Sequence, residues 1–362
     1  MKQILFISDN LCSGGAQRQL VTVAKLLKQE GHNVTVYCYE ENNFHAHTLE
    51  EAGIPIVWDL APTNYLKRIF NVRRFVKRGR FDVVISFLPT CNFLNNIAAI
   101  GRHKWTVITG ERSSRISTFT SRRGKFFAWF QRYADYIVCN SQNACALWNK
   151  YLPKYSEKMR VIYNCVNVGE INSQYHPRED GYLHIVVAAT YQYLKNPLGL
   201  VEALKAMTEE ERSRIIIDWY GRSEVSRGNT LAYDETVQAI RQYSLEHVFR
   251  VHPDTKEIAD IMNQADVVML LSQFEGLPNV ICEGMTLGKP IVMTRVSDYQ
   301  ALVDDSNGVL CDAEDYSSIR EAINKMNSFS IDELMNMGAA SRKKAHELFS
   351  GEKVTAAWNE LI

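Results

Sequence analysis

An α/β protein made of two doubly wound parallel sheets is what this sequence predicts, from three observations. Runs such as Ile4–Ile7, Val34–Tyr39 and Val267–Leu271 are apolar with little or no interruption, as strands buried on both faces require. Helix-patterned segments alternate with them, the βαβ rhythm of a parallel sheet. At 362 residues the chain is long for one core and comfortable for two.

The elements follow in order. Ile4–Ile7 is the first strand, and Ala16–Gln29 a helix that Gly31 closes. Strands are expected at Val34–Tyr39, Ile54–Val57, Asp82–Ser86, Trp105–Thr109 and Tyr136–Cys139, with a helix at Tyr65–Lys77. A polar stretch from Asn167 to Gly181 precedes a second series. Its strands are Leu183–Ala188, Arg214–Trp219, Val248–Val251, Val267–Leu271, Pro290–Met293 and Gly308–Leu310, with helices at Pro197–Met207 and Thr255–Gln264 between them. The division falls at residues 1–166 and 167–345, with a cleft expected between the sheet edges. A last helix, Ile331–Phe349, and the tail from 346 to 362 are expected to return to the first domain.

Composition excludes several classes. Lysine plus arginine equal aspartate plus glutamate at 41 each, so no basic excess points to nucleic acid. Eight scattered cysteines form no CxxC pair and no zinc spacing, which suits buried thiols in a reducing compartment. Met1-Lys2-Gln3 leads directly into a strand and no apolar run approaches about 20 residues. A cytoplasmic protein is the expectation.

The chemistry concentrates at Phe274-Glu275-Gly276-Leu277-Pro278-Asn279, followed by Glu283. Gly276 and Pro278 make a loop between the buried run 267–271 and a helix starting near Asn279. Glu275 therefore falls at the carboxyl end of a strand, where open α/β sheets bind ligands. Glu283 falls one turn into the helix, whose free N–H groups form an anion site. One carboxylate suits sugar hydroxyls, the other a ribose diol, with phosphate between. The alternative for either acid alone is a solvated helix-start residue. At Gly14-Gly15, two glycines after the first strand allow a close backbone approach; a turn that needs positive φ is the other reading. The stretch is not GxGxxG, so a dinucleotide fingerprint is absent.

Together these pieces resemble the retaining glycosyltransferases of family 4, with the two-domain GT-B fold. The resemblance runs along nearly the whole chain, through Gly14-Gly15-Ala16-Gln17-Arg18, Asn140-Ser141 and Val161-Ile162-Tyr163-Asn164-Cys165-Val166-Asn167. It continues through Lys195-Asn196-Pro197, Tyr220-Gly221, Ala265-Asp266, Glu283-Gly284-Met285 and Gly288-Lys289-Pro290. It implies a first domain that binds the acceptor and a second that binds a nucleotide-diphosphate sugar. Glu275 and Lys195 become the catalytic candidates, Lys195 neutralising the leaving diphosphate. Donor contacts fall to Gly14, Gly15, Thr190, Gly221, Arg222, Glu275, Gly276, Leu277, Pro278, Asn279 and Glu283.

Two departures stand out. Thr190 occupies the position where the family carries an arginine, so charge neutralisation shifts to Lys195, helix N-termini or Arg222. Val251-His252-Pro253-Asp254 lacks the usual glycine in a loop facing the base, leaving the base open; a UDP-sugar is favoured. No metal cofactor is implied, and Asp304-Asp305 reads as a surface turn.

The acceptor should touch the first domain. Thr109-Gly110-Glu111-Arg112-Ser113-Ser114 is similar to a Ser-Glu-Arg-Asn loop of polysaccharide-assembling members, making Glu111 and Arg112 candidate acceptor contacts; a structural ion pair is the competing reading. Leu66–Arg80 and Arg122–Phe130 join bases to aromatics without an acid. That pattern suits an anionic membrane surface or a lipid diphosphate, or else an ordinary helix with a solvated basic face. The expected activity is transfer of a hexose or N-acetylhexosamine to a glycan acceptor, lipid-linked, in surface polysaccharide biosynthesis (O-antigen or capsule). Alternatives are a sugar-nucleotide epimerase or hydrolase, or a non-catalytic nucleotide-sugar-binding partner of another transferase.

Overall fold

The computed structural model describes residues 1–60, 64–112, 116–166, 180–225 and 228–362. Ser113 and Ser114 of the acceptor loop and most of the polar stretch 167–181 lie outside the described residues. The chain divides into two compact units, one of Met1–Cys165 with Gly351–Ile362, the other of Val166–Ser350.

The first unit holds a seven-stranded parallel sheet. Its strands are β1 (Gln3–Ser8), β2 (Asn33–Cys38), β3 (Ile56–Trp58), β4 (Val83–Phe87), β5 (Thr106–Glu111), β6 (Tyr136–Cys139) and β7 (Met159–Val161), in the spatial order β3-β2-β1-β4-β5-β6-β7. In β1, Ile4, Leu5, Phe6 and Ile7 are all wholly buried. Alternate residues point to opposite faces, so Ile4 and Phe6 join one core while Leu5 and Ile7 join the other. The helix Gly351–Asn359 completes the first of these cores with Val354 and Trp358.

The second unit holds a six-stranded parallel sheet: β8 (Leu183–Ala188), β9 (Ile215–Tyr220), β10 (Phe249–His252), β11 (Val267–Leu270), β12 (Ile291–Thr294) and β13 (Gly308–Cys311), ordered β10-β9-β8-β11-β12-β13. Trp219, wholly buried, anchors its core and donates from Nε1 to the Ala189 carbonyl at 2.7 Å.

Some expectations move. The third strand is Ile56–Trp58 rather than 54–57, because Pro55 has no N–H and only its carbonyl pairs, accepting from Val36 at 3.0 Å. The helix expected from Thr255 begins at Ile258, since the Thr255 hydroxyl accepts from the Glu257 N–H and holds the preceding residues in a turn. β7, three residues long, was too short for periodicity to reveal. The motif Gly288-Lys289-Pro290 is structural here: Lys289 is fully buried and donates to the Asn263 carbonyl at 2.5 Å, near the end of the helix Ile258–Gln264. Six cysteines are buried and Cys12 and Cys145 half-buried, all of them free thiols. Among the described residues no helix is long and apolar enough to cross a membrane.

Candidate functional site

In each sheet the strand order reverses at one place, and ligands of open α/β sheets gather outside the carboxyl ends of the strands there. In the second unit that place is between β8 and β11. The loop after β8 runs through Thr190 to the short turn Tyr193–Lys195; the loop after β11 carries Ser272 to Pro278. A backbone bond from the Gln273 N–H to the Leu194 carbonyl, 2.9 Å, ties them together.

Lys195 and Glu275, 80 residues apart in sequence, meet at this junction. Lys195 Nζ donates to Glu275 Oε1 at 2.5 Å, and Ser272 Oγ donates to the same oxygen at 2.8 Å. The Ser272 carbonyl accepts from the buried Thr294 hydroxyl at 2.6 Å, which fixes the loop from below. The side chains are only 23% and 14% exposed, so the pair sits at the floor of the junction. Among the described residues no group donates to Glu275 Oε2, which leaves that oxygen able to accept from a hydroxyl.

The helix Asn279–Thr286 starts just beyond, at Pro278, with no side-chain cap and no acid in its first turn. A helix N-terminus of this kind favours an anion, although its Ile281 N–H is turned back onto the Pro278 carbonyl at 3.0 Å. Ser297 Oγ donates to the Gly276 carbonyl, and Leu277 and Pro278 are buried, so the turn into the helix is held on several sides. Glu283 lies one turn in, half-buried. Gly284 beside it has the β11 residue Val268 only 2.9 Å from where a Cβ would stand, which seats the helix close against the strand.

Thr190 and Gly221 lie on adjoining loops. The ladder between β8 and β9 continues past their ends, with Ala189 donating to Tyr220 and Tyr191 to Arg222. A Cβ on Gly221 would stand 1.8 Å from the Ala189 carbonyl oxygen. Arg222 presents its side chain to solvent. One strand further, His252 stacks on Tyr220 with centroids 4.3 Å apart and shares a 2.6 Å hydrogen bond with Asp218.

In the first unit the order reverses between β1 and β4. Gly14 is extended (φ −71°, ψ 151°) and caps the helix Gly15–Gln29 without a side chain. Neither Gly14 nor Gly15 has positive φ, so that reading of the pair is corrected. What lies over Gly14 is the Gln17 amide, itself bonded to Asp9 at 3.1 Å. Leu88, between β4 and Pro89, holds φ +76°.

Glu111 ends β5 and is only 5% exposed. It and Arg112 are not joined as an ion pair among the described residues. Arg112 lies over the Phe87 ring at 3.7 Å and donates from Nη1 to Asn164 Oδ1 at 3.1 Å. Asn92 Nδ2 reaches the Gly110 carbonyl at 3.0 Å and Glu111 Oε1 at 3.4 Å. Asn92, Asn95 and Asn96 are all buried on the helix Pro89–Ala99, bonding Ser86, β4 and β5 carbonyls and Gln131. Sequence reasoning passed over these three asparagines and Ser272. The asparagines do share one helix stripe at i, i+3, i+4, but a polar stripe reads as the solvent face.

Burial pushes the Glu111 carboxyl up from 4.5 to about 7, against hydrogen bonds from Asn92 and Trp148 and the Arg112 charge. The folded pKa lies above the unfolded one, so below about pH 4 both states hold the proton and nothing is lost. Between there and about pH 7 only the unfolded state ionises, and stability falls by on the order of 1–3 kcal/mol. Glu111→Gln should thus match the parent chain's melting temperature near pH 4 and exceed it near pH 8. Thermal melts at the two pH values check this; equal melting at both would refute the buried, late-titrating carboxyl.

Two doubly wound parallel sheets, the second with a Lys–Glu pair and an uncapped helix start at its switch point, are the arrangement expected of a GT-B glycosyltransferase, and the family models agree. The profile of the family described as Glycosyltransferase Family 4 matches residues 13–170, and that of Glycosyl transferases group 1 matches residues 169–344. The chain belongs to the family 4, group 1 glycosyltransferases. It is 25% identical over 298 residues, 79% of this chain and 77% of the other, to the GalNAc-α-(1→4)-GalNAc-α-(1→3)-diNAcBac-PP-undecaprenol α-1,4-N-acetyl-D-galactosaminyltransferase of Campylobacter jejuni. Amylovoran biosynthesis glycosyltransferase AmsD of Erwinia amylovora is 20% identical, with both chains covered in full. Among solved structures, HepE of Anabaena in complex with UDP and glucose superposes with a TM-score of 0.81 at 18% identity, over 99% of both chains.

Proposed function

We propose that the chain is a retaining glycosyltransferase that moves a hexose or N-acetylhexosamine from a UDP-sugar to a lipid-linked glycan during surface polysaccharide assembly. The observation that carries this reading is the Lys195–Glu275 pair at the second unit's switch point, 2.5 Å apart beside an uncapped helix N-terminus. A donor diphosphate would draw Lys195 and lie at the positive end of the helix that starts at Asn279, while Glu275, released from Lys195, accepts from sugar hydroxyls. Glu283 is assigned the ribose diol. Thr190, Gly221 and Arg222 line the remaining donor surface, and Gly276, Leu277, Pro278 and Asn279 shape the phosphate turn. From the first unit, the Gly14-Gly15 helix start is assigned to the donor phosphates, and Glu111 and Arg112 to the acceptor.

The bond from the sugar's anomeric carbon to the diphosphate breaks with oxocarbenium character, and the acceptor hydroxyl oxygen bonds to that carbon on the same face while its proton passes to the departing diphosphate oxygen. The departing diphosphate carries the new charge, so positioning and charge stabilisation supply the rate. Support for donor and acceptor comes from the neighbours: HepE was solved with UDP and with UDP-glucose, and the Campylobacter relative is named for transfer onto an undecaprenol-linked saccharide.

A thermal-shift series with UDP, GDP and ADP tests the donor. UDP at about 100 times its Kd should add ~2.7 kcal/mol of stability, with GDP and ADP well behind. Transfer assays in EDTA, with and without undecaprenyl-diphosphate saccharide, test the rest. Turnover that needs acceptor and survives chelation is the expected outcome. Donor breakdown at equal rate without acceptor would favour the epimerase or hydrolase, and UDP binding without any turnover the non-catalytic partner.

A further inference from the structure

Asn196 stands between the Lys195 turn and the helix Pro197–Ala206, and its conformation runs against local preference in two ways. Its backbone is left-handed, with φ +64° and ψ 42°, a region that costs every residue with a side chain, asparagine less than most. The proline that follows pushes this position toward extended backbone instead. An asparagine directly before a helix ordinarily caps it, accepting from one of the first free N–H groups. Asn196 makes no such bond. Its amide turns away, and Nδ2 donates to the Ala313 carbonyl at 2.8 Å.

Gly199 is fitted to that amide. A glycine inside a helix lowers its stability, and here it makes room: a Cβ on Gly199 would stand 2.3 Å from Asn196 Oδ1 and 2.5 Å from Nδ2. Asn196 is only 6% exposed. Backbone strain at one residue, held in place by buried partners, is characteristic of positions that serve a site.

The turn before Asn196 carries Lys195. Inside it, the Lys195 N–H donates to the Gln192 carbonyl at 2.8 Å and the Asn196 N–H to the Tyr193 carbonyl at 2.9 Å. The loop after β11 grips the middle of the turn through Gln273 and the Leu194 carbonyl. Asn196 grips its end, tying it to the loop after β13, 117 residues further on. Lysine is a point charge on a long flexible stem. While Lys195 is paired, Glu275 fixes Nζ. Once a diphosphate draws Nζ away, its direction comes from the backbone of the turn.

We propose that Asn196 is a positioning residue for Lys195. Its left-handed backbone sets the direction in which the lysine leaves the turn, and its amide, seated over Gly199, anchors the turn to the Ala313 carbonyl. The inference rests on the donor reading above, in which Lys195 meets the diphosphate.

Calorimetric titration of the full chain with UDP, as a double-mutant cycle, tests it. Lys195→Ala should weaken UDP binding about tenfold or more, through loss of a charge-assisted bond. Asn196→Ala loses both the backbone preference and the anchor and should weaken binding to a similar degree. Asn196→Gly keeps the backbone and drops the anchor, so it should recover part of the loss. Gly199→Ala leaves Asn196 in place but unseats its amide, so affinity should fall although alanine is the better helix former. In the Lys195→Ala background these substitutions should change UDP binding less than about twofold, because they act through the lysine. Thermal melts accompany each variant, and Asn196→Gly and Gly199→Ala carry the test should Asn196→Ala not fold. The proposal falls if the losses add in the double variants, which would make Asn196 a general support of the loop. It also falls if Asn196→Gly and Gly199→Ala both bind UDP as the parent does. If the parent does not bind UDP, or Lys195→Ala binds it as tightly as the parent, the donor reading fails and takes the proposal with it.

Discussion

Glu275→Ala is expected to reduce sugar transfer by roughly 10²–10³-fold while the chain still folds. Glu275 Oε1 accepts from both Lys195 and Ser272, so it sets the position of the lysine, and in the function proposed above Oε2 is its contact to the donor. Its removal takes away the partner that holds Lys195 at the junction and, in the proposed function, one contact to the sugar. Stability should change little, because Lys195 is 23% exposed and regains water once unpaired; partly exposed pairs contribute at most about 1 kcal/mol. Glu275→Gln separates charge from geometry. It can still accept from Ser272 and from a hydroxyl, so activity between that of the parent and the alanine variant would show that hydrogen bonding carries part of the effect. Steady-state transfer assays beside thermal melts make the measurement. Near-parental turnover in Glu275→Ala would remove this junction from the active site.

Gly221→Ala should be the most damaging small substitution in the second unit, at about 3 kcal/mol or more. The added Cβ would stand 1.8 Å from the Ala189 carbonyl oxygen, 2.6 Å from its carbon and 3.1 Å from the Thr190 nitrogen. All three are backbone atoms. The Ala189 oxygen also accepts from Trp219 Nε1, so it cannot swing aside without breaking a buried bond. The displaced loop carries Thr190 and leads to Lys195, so donor binding should weaken together with stability. Gly14→Ala is the contrast: the nearest atoms to its Cβ would be side-chain atoms, the Gln17 amide at 2.5 Å and Cys12 Sγ at 3.5 Å, and a flexible side chain can move. Urea titration of both variants is the check. Equal, small losses would mean that the β8 and β9 loops yield more easily than their hydrogen bonds imply.

These two glycines show how far sequence reading reached. Both stood in recognisable positions, Gly14 in Gly14-Gly15 and Gly221 in Tyr220-Gly221. Only three-dimensional packing says which has backbone behind it. Glu111 is similar: its place after a strand was legible, but its burial depends on Asn92 and Trp148, which lie 19 residues before it and 37 after. The three asparagines of 92–96 stand at core spacing yet are polar, and a periodicity argument counts them as the outer face. The basic segments were visible as composition. That Leu66 and Phe70 stand exposed among those bases could not be seen without the fold.

What the sequence alone determined is the class of architecture and the family. Continuous apolar runs must be buried on both faces, alternating strands and helices must wind a parallel sheet, and ordered motifs mark a family 4 chain; these are local properties. The tertiary structure decided which distant groups meet: Lys195 with Glu275 across 80 residues, Asn196 with Ala313 across 117, Glu111 with Asn92. The physical reason is that such contacts follow from strand order. A parallel sheet reverses its order at one place, and only there do the loops after two sequence-distant strands come side by side.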